Sequence, residues 1–130
     1  MAGADVAREA VERYVAGVHD GSTDVYVKAF APDAVIEDPV GTPPHVGTEA
    51  HRTFWENTLQ LADSVRFDVD RIIAVDGEAV MVLTINAHLR TGGTTRIPAV
   101  GHFEVDDSGL ITNYRAFWDP ATMEFVADDA

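Results

Sequence analysis

Ala34-Val35-Ile36-Glu37-Asp38-Pro39-Val40-Gly41-Thr42-Pro43-Pro44 joins a short apolar run to a carboxylate standing against proline and glycine. Successive side chains of a strand point to opposite faces, so Ile36 and Asp38 share one face and Val35 and Glu37 the other. One carboxylate of the pair therefore points inward. Pro39 has no backbone N–H and biases Asp38 toward extended backbone, so the strand stops there with the carboxylate at its end. Strand ends at the rim of a cavity commonly carry catalytic groups.

Upstream, Ala7, Ala10, Val11, Tyr14, Val15 and Val18 recur at three- and four-residue steps, which predicts a helix over 6–18 with Tyr14 on its buried stripe. Asp20-Gly21-Ser22 breaks that helix. Ser22, Thr23 or Asp24 then caps a second one that carries Tyr26, Val27 and Phe30 and ends before Pro32. Beyond the proline-rich loop, Thr48 is expected as the N-cap of a third helix whose inner side holds Ala50, Phe54, Trp55, Thr58 and Leu59. The second half of the chain changes period. Val65, Phe67 and Val69 alternate with charged residues, and a longer alternation runs through Ala79, Met81, Leu83, Ile85, Ala87 and Leu89. Turn chemistry at Asp76-Gly77, at 91–94 and at 106–109 separates these strands from a last run over 110–118. Three helices before four strands, with the early strand at Asp38, predict an α+β fold in which a curved sheet wraps the helices and encloses a pocket. The 130 residues are expected to form one domain, with 127–130 as a loose acidic tail.

Charge and composition narrow the partners. Nine Lys and Arg against 22 Asp and Glu give a formal charge of −13, which repels nucleic-acid phosphates and anionic membrane surfaces. There is no cysteine, and the five histidines lack ligand-like spacing, so neither a metal nor another cofactor is expected. Met1-Ala2-Gly3-Ala4-Asp5 shows no basic leader followed by an apolar run, and no segment reaches the roughly 18 apolar residues of a membrane span. The expectation is a cytoplasmic protein.

If the alternating faces point inward, Phe30, Phe54, Trp55, Met81, Phe103 and Trp118 line a cavity with few polar groups, suited to a flat apolar ligand held by one or two hydrogen bonds. The competing reading is that these aromatics, and Tyr14 with them, simply fill the core. Asp38 is harder to explain away, because an acid on an apolar face needs a partner and the sequence names none. His19, His45, His51, His88 and His102 are read as structural, with His45 at most gating entry. Ser22 and Ser64 have no adjacent base.

The residues carry a resemblance. Arg13-Tyr14-Val15-Ala16, the segment from Phe30 to Gly41, the helix Gly47-Thr48-Glu49-Ala50-His51-Arg52-Thr53-Phe54-Trp55 and the ending Tyr114-Arg115-Ala116-Phe117-Trp118 together resemble bacterial ketosteroid isomerase, over nearly the whole chain. That likeness implies the cone-shaped nuclear transport factor 2-like (cystatin-like, SnoaL-like) fold, which hosts several chemistries. It also implies Asp38 as a proton shuttle and Tyr14 as donor to the ketone oxygen. These are the family's own well-known roles. By the same resemblance Phe30, Val40, Phe54, Trp55, Met81, Gly101, Phe103 and Trp118 are the substrate-binding set, the ligand is a steroid or similar apolar molecule, and the outer sheet face forms a homodimer.

One position departs from the family pattern. Where the family keeps an aspartic acid before a His-Phe pair as second oxyanion donor, this chain reads Gly101-His102-Phe103. The loss of one such donor costs on the order of a hundred- to a thousandfold in rate. A water beside Gly101 or an inward-turned Trp118 indole is the expected substitute. Trp55 stands where the family often has a tyrosine supporting the first. The alternatives are a related cyclase or dehydratase exploiting room at Gly101, or a non-catalytic binder of apolar ligands.

Overall fold

The computed structural model describes residues 3–129, so Met1 and Ala2 of the expected leaderless start and Ala130 of the expected loose tail lie outside the described residues. Three α-helices, α1 (Ala4–Asp20), α2 (Thr23–Val27) and α3 (Thr48–Leu61), pack on a curved, open mixed sheet. Its strands are β1 (Phe30–Glu37), β2 (His45–Val46), β3 (Ala62–Val75), β4 (Glu78–Leu89), β5 (Thr94–Val105), β6 (Ile111–Phe117) and β7 (Glu124–Val126). The order across the sheet is β2-β1-β6-β5-β4-β3, with β7 paired to the start of β5. Strands β3 to β6 form an antiparallel meander, and β1 lies parallel to β6. Among the described residues no helix is long and apolar enough to cross a membrane.

Helix α1 buries Ala7, Ala10, Val11, Tyr14 and Val18, the stripe that the spacing predicts. The second helix is shorter than expected. Ser22 caps it by accepting from the Val25 N–H, but it ends at Val27, and Phe30 opens β1 instead of closing the helix. Pro32 thus lies within a strand, and it is tolerated because the β1–β6 register shifts between Phe30 and Val35, where no ladder bond from its nitrogen is needed. Helix α3 starts one residue earlier than expected, with Gly47 rather than Thr48 at the N-cap (φ 91°) and no side-chain cap. His51 is its most buried residue, and its Nε2–H donates to the Ala34 carbonyl at 2.7 Å, tying α3 to β1. Near the end of the chain the Asp128 carboxylate accepts from the Gly93 N–H at 2.9 Å and lies 3.1 Å from His88 Nε2.

The inner faces of β4 and β5 follow the alternation, and the cone is packed solid at one end. Ala79, Met81, Leu83, Phe103 and Ile111 are buried there, whereas Ile85, Ala87 and Leu89 further along β4 meet open space. Gly101 belongs to the packed end. A Cβ built on it would stand 3.0 Å from ring carbons of both Phe103 and Tyr114, so the room expected at Gly101 is filled by aromatic edges. Gly101→Ala should therefore lower stability by about 1–3 kcal/mol through overpacking. Urea unfolding measures this, and an unchanged midpoint would show that the two rings do not press on that backbone.

Candidate active site

A cavity of about 410 Å³ opens at the wide end of the cone, between α1, α3 and the inner face of the sheet. All three tyrosines and both tryptophans of the chain line it, together with Asp38 and apolar groups such as Phe54, Phe67 and Ile85. Local structure explains how Asp38 gets there. β1 carries it one residue beyond the strand end at Glu37, the Asp38-Pro39 bond is cis, and the Val40 N–H donates to the Ala116 carbonyl at 2.8 Å, holding the loop against the end of β6. Two residues beyond Ala116, the Trp118 indole N–H donates to Asp38 Oδ1 at 2.7 Å. Glu37, on the opposite face, turns outward and lies 3.4 Å from Arg115. Alternation thus sorts the two carboxylates: one meets a guanidinium at the surface, the other meets a neutral indole inside.

Burial dominates the electrostatics. Desolvation pushes Asp38 from 3.8 up to about 6, partly opposed by the Trp118 hydrogen bond, which favours the ionised form. The phenols respond the same way. Tyr14, Tyr26 and Tyr114 are all held well above 10, first by burial and then by neighbouring charges that include Asp38. They remain neutral O–H groups at any ordinary pH. Tyr14 sits at the centre of an aromatic cluster, with ring centroids 5.1 Å from Tyr114, 5.5 Å from Phe103, 5.7 Å from Phe30 and 6.0 Å from Tyr26. Its hydroxyl and that of Tyr114 are near enough for each to shift the other's ionisation. Tyr26 stacks on Trp55 at 4.5 Å, and its hydroxyl is buried with no partner among the described residues.

Of the residues singled out from the sequence, Asp38, Tyr14, Phe54, Trp55 and Trp118 come together around the cavity. Phe30, Met81, Gly101 and Phe103 do not reach its wall. They fill the closed end beneath the tyrosines, because the tapering sheet leaves no space between its faces there. Val40 anchors the Asp38 loop through its backbone and does not reach the wall either. Tyr26 and Tyr114 went unassigned in the sequence. The signal for Tyr114 was present, since it shares its strand face with Ala116 and Trp118; that for Tyr26 was hidden in a five-residue helix. The histidines lie apart from this chemistry, His19 accepting from the Phe67 N–H and His102 pairing with Glu78. Among the described residues no group of three or more His, Asp or Glu side chains could hold a metal ion.

The SnoaL-like domain model matches residues 11–114, a span holding both Asp38 and the three tyrosines. The chain belongs to the SnoaL-like family. Within the curated relatives of this SnoaL-like chain, steroid Delta-isomerase of Nocardioides simplex is 32% identical over 116 residues, covering 89% of this chain and 92% of that protein. Epoxide hydrolase LasB of Streptomyces lasalocidi is 30% identical over 136 residues, 96% of this chain, but the chain spans only 45% of that relative's length. Solved structures show the same fold. The epoxide hydrolase/cyclase-like enzyme SalBIII, with a role in pyran ring formation in polyether salinomycin, superposes at TM-score 0.85 with 24% identity, over 93% of this chain and 96% of that one. A Mycobacterium tuberculosis protein in complex with estradiol-17beta-hemisuccinate superposes at 0.83 with 23% identity, over 92% and 98%.

The raised carboxyl has a consequence for stability. Asp38 is easier to ionise in the unfolded chain than in the fold, so its ionisation weakens the native state as pH rises from about 4 to 6 and the cost is constant above that. Asn at this position keeps a carbonyl for the Trp118 N–H and carries no charge. Asp38→Asn should therefore be more stable than the parent by as much as about 3 kcal/mol at pH 7.5 and by much less at pH 4.5. Denaturant titration at the two pH values measures the difference, and a gap independent of pH would contradict a desolvated carboxyl.

Proposed function

We propose that this protein is a proton-transfer enzyme that moves a carbon–carbon double bond in a flat, neutral, enolisable ketone, converting a 3-oxo-Δ5 steroid to its conjugated 3-oxo-Δ4 isomer. The observation that carries the reading is the carboxyl of Asp38, facing an aromatic cavity with an indole N–H as its hydrogen-bond donor and a pKa raised to about 6 by burial. A base of this strength is ionised at neutral pH yet more basic than a solvated aspartate. Asp38 would take a proton from the carbon between the carbonyl and the double bond. The electron pair moves onto the ketone oxygen to give a dienolate, and the same proton returns two carbons further along. Tyr14, neutral and buried, would donate to the oxygen as its charge develops, in a cavity where a hydrogen bond to an oxyanion is worth more than in water. The cavity size fits a small flat ligand, and a chain charge of −13 disfavours an anionic one. The 32% identical steroid Delta-isomerase supports the same substrate class. We also assign the outer sheet face, where Val100 and Phe117 pair side by side and exposed, to a homodimer contact.

The match to an epoxide hydrolase over 96% of the chain favours a second reading on the same groups. There Asp38 would accept the proton of a substrate hydroxyl as its oxygen attacks an epoxide carbon. The C–O bond of the ring breaks, and a phenol gives its proton to the departing oxygen.

Two measurements test the first reading. Asp38→Asn should lose at least about a thousandfold in the conversion of a β,γ-unsaturated 3-ketosteroid, followed by ultraviolet absorbance of the conjugated enone; full activity in that variant would refute the base assignment. In the parent enzyme kcat/KM should fall as pH drops through about 6, because protonation removes the base. Turnover of a hydroxy-epoxide with no steroid turnover would select the second reading instead.

A further inference from the structure

Position 101 lacks the carboxylic acid by which ketosteroid isomerases, which the chain resembles, donate a second hydrogen bond to the oxyanion. The space it would need is not empty. A Cβ at Gly101 would meet Tyr114 Cε1 and Phe103 Cε1, each at 3.0 Å. Tyr114 comes from the neighbouring strand, opposite Phe103, and its ring stacks on Phe103 at 4.6 Å and 14°. That stack fixes the ring beside Gly101 and sends its hydroxyl to the cavity, where it meets the hydroxyl of Tyr14.

Hydrogen-bond arithmetic in this corner points to a missing acceptor. Three phenols, Tyr14, Tyr26 and Tyr114, bring three O–H donors. The hydroxyls of Tyr14 and Tyr114 face each other, so one of them at most is spent on the other, and the Tyr26 hydroxyl has no partner among the described residues. Asp38 accepts from the indole on Oδ1, and among the described residues none of the three hydroxyls bonds to either of its oxygens. Buried donors are satisfied in nearly all native structures, so a corner with surplus O–H groups is built for an oxygen that arrives with the ligand.

We propose that Tyr114 is the second oxyanion donor of this site, and that position 101 is glycine because the Tyr114 ring occupies the space a side chain there would fill. The proposal rests on the proton-transfer reading above. A ligand oxygen entering the corner accepts from both hydroxyls, or from one with the other donating behind it; either way its charge is shared between two phenols. A phenol donor carries no charge of its own to titrate at neutral pH, so among the described residues lining the cavity Asp38 is left as the group whose charge changes between pH 5 and 8.

Tyr114→Phe removes one oxygen and keeps the stacked ring, and two readouts decide its effect. With a 3-oxo-Δ5 steroid, kcat should fall about a hundred- to a thousandfold while KM changes far less, the signature of an interaction made in the transition state. Separately, 2-naphthol bound in the cavity should be partly ionised in the parent protein, by absorbance, and that ionised fraction should drop in Tyr114→Phe. A kcat within about threefold of the parent, with the naphthol spectrum unchanged, overturns the proposal. If the parent turns over no steroid, the isomerase reading fails, and the naphthol spectrum alone upholds or overturns Tyr114 as an oxyanion donor. The exchange claim has its own test: Gly101→Asp added to Tyr114→Leu should recover at least about tenfold over Tyr114→Leu alone, and no recovery in the folded double variant overturns it.

Discussion

The hydrogen bond from the Trp118 indole to Asp38 is the constraint on which the site depends. A carboxyl facing an apolar cavity has two ways to avoid an unpaired buried charge: take up a proton, or find donors. A guanidinium within reach would have held Asp38 below 4 and left it a poor base. An indole N–H is neutral, so it steadies the ionised form without cancelling the desolvation that makes the group basic. The balance at about 6 leaves the carboxylate mostly ionised at neutral pH.

That bond joins residues 80 apart in sequence, and the sheet is what brings them together. Strand β1 runs parallel to β6, so both chains leave the sheet at the same edge of the cavity, one ending in Asp38 and the other in Trp118. The bond from Val40 to Ala116 locks the two exits together. The same parallel pairing sets Glu37 against Arg115 outside, so the chain places a charge-neutralised acid and a charge-isolated acid at adjacent positions. Below them the taper of the cone forces the aromatic cluster to close-pack, and this holds Tyr14 and Tyr114 in fixed positions at the cavity wall.

Much of this was legible from residue pattern. Period-two alternation gave the inward side of β4 and the inward turn of Asp38, and the helical stripe of α1 gave Tyr14. Depth along the cone was not legible. Alternation says which face Met81, Phe103 and Ile85 share but not how far the opposing wall stands from each, so Met81 and Phe103 looked like cavity residues although they lie beneath it. Two local rules also misled. Pro32 reads as a helix stop, yet the strand had begun at Phe30 and a register shift absorbed the proline. Gly101 reads as lost bulk, yet the volume had moved to Tyr114 on the adjacent strand, a compensation visible only once the register between β5 and β6 is known. The indole partner of Asp38 was hidden for the same reason, being distant in sequence and chemically unlike the cation that usually meets a carboxylate.

The central claim, that a single desolvated carboxyl poised by an indole governs the cavity, is tested most directly by titrating the Asp38 side-chain carbon by NMR in the ligand-free protein. The account predicts a midpoint near 6, moving upward when Trp118 is replaced by Phe. A midpoint at the ordinary 3.8, unmoved by that replacement, would contradict it.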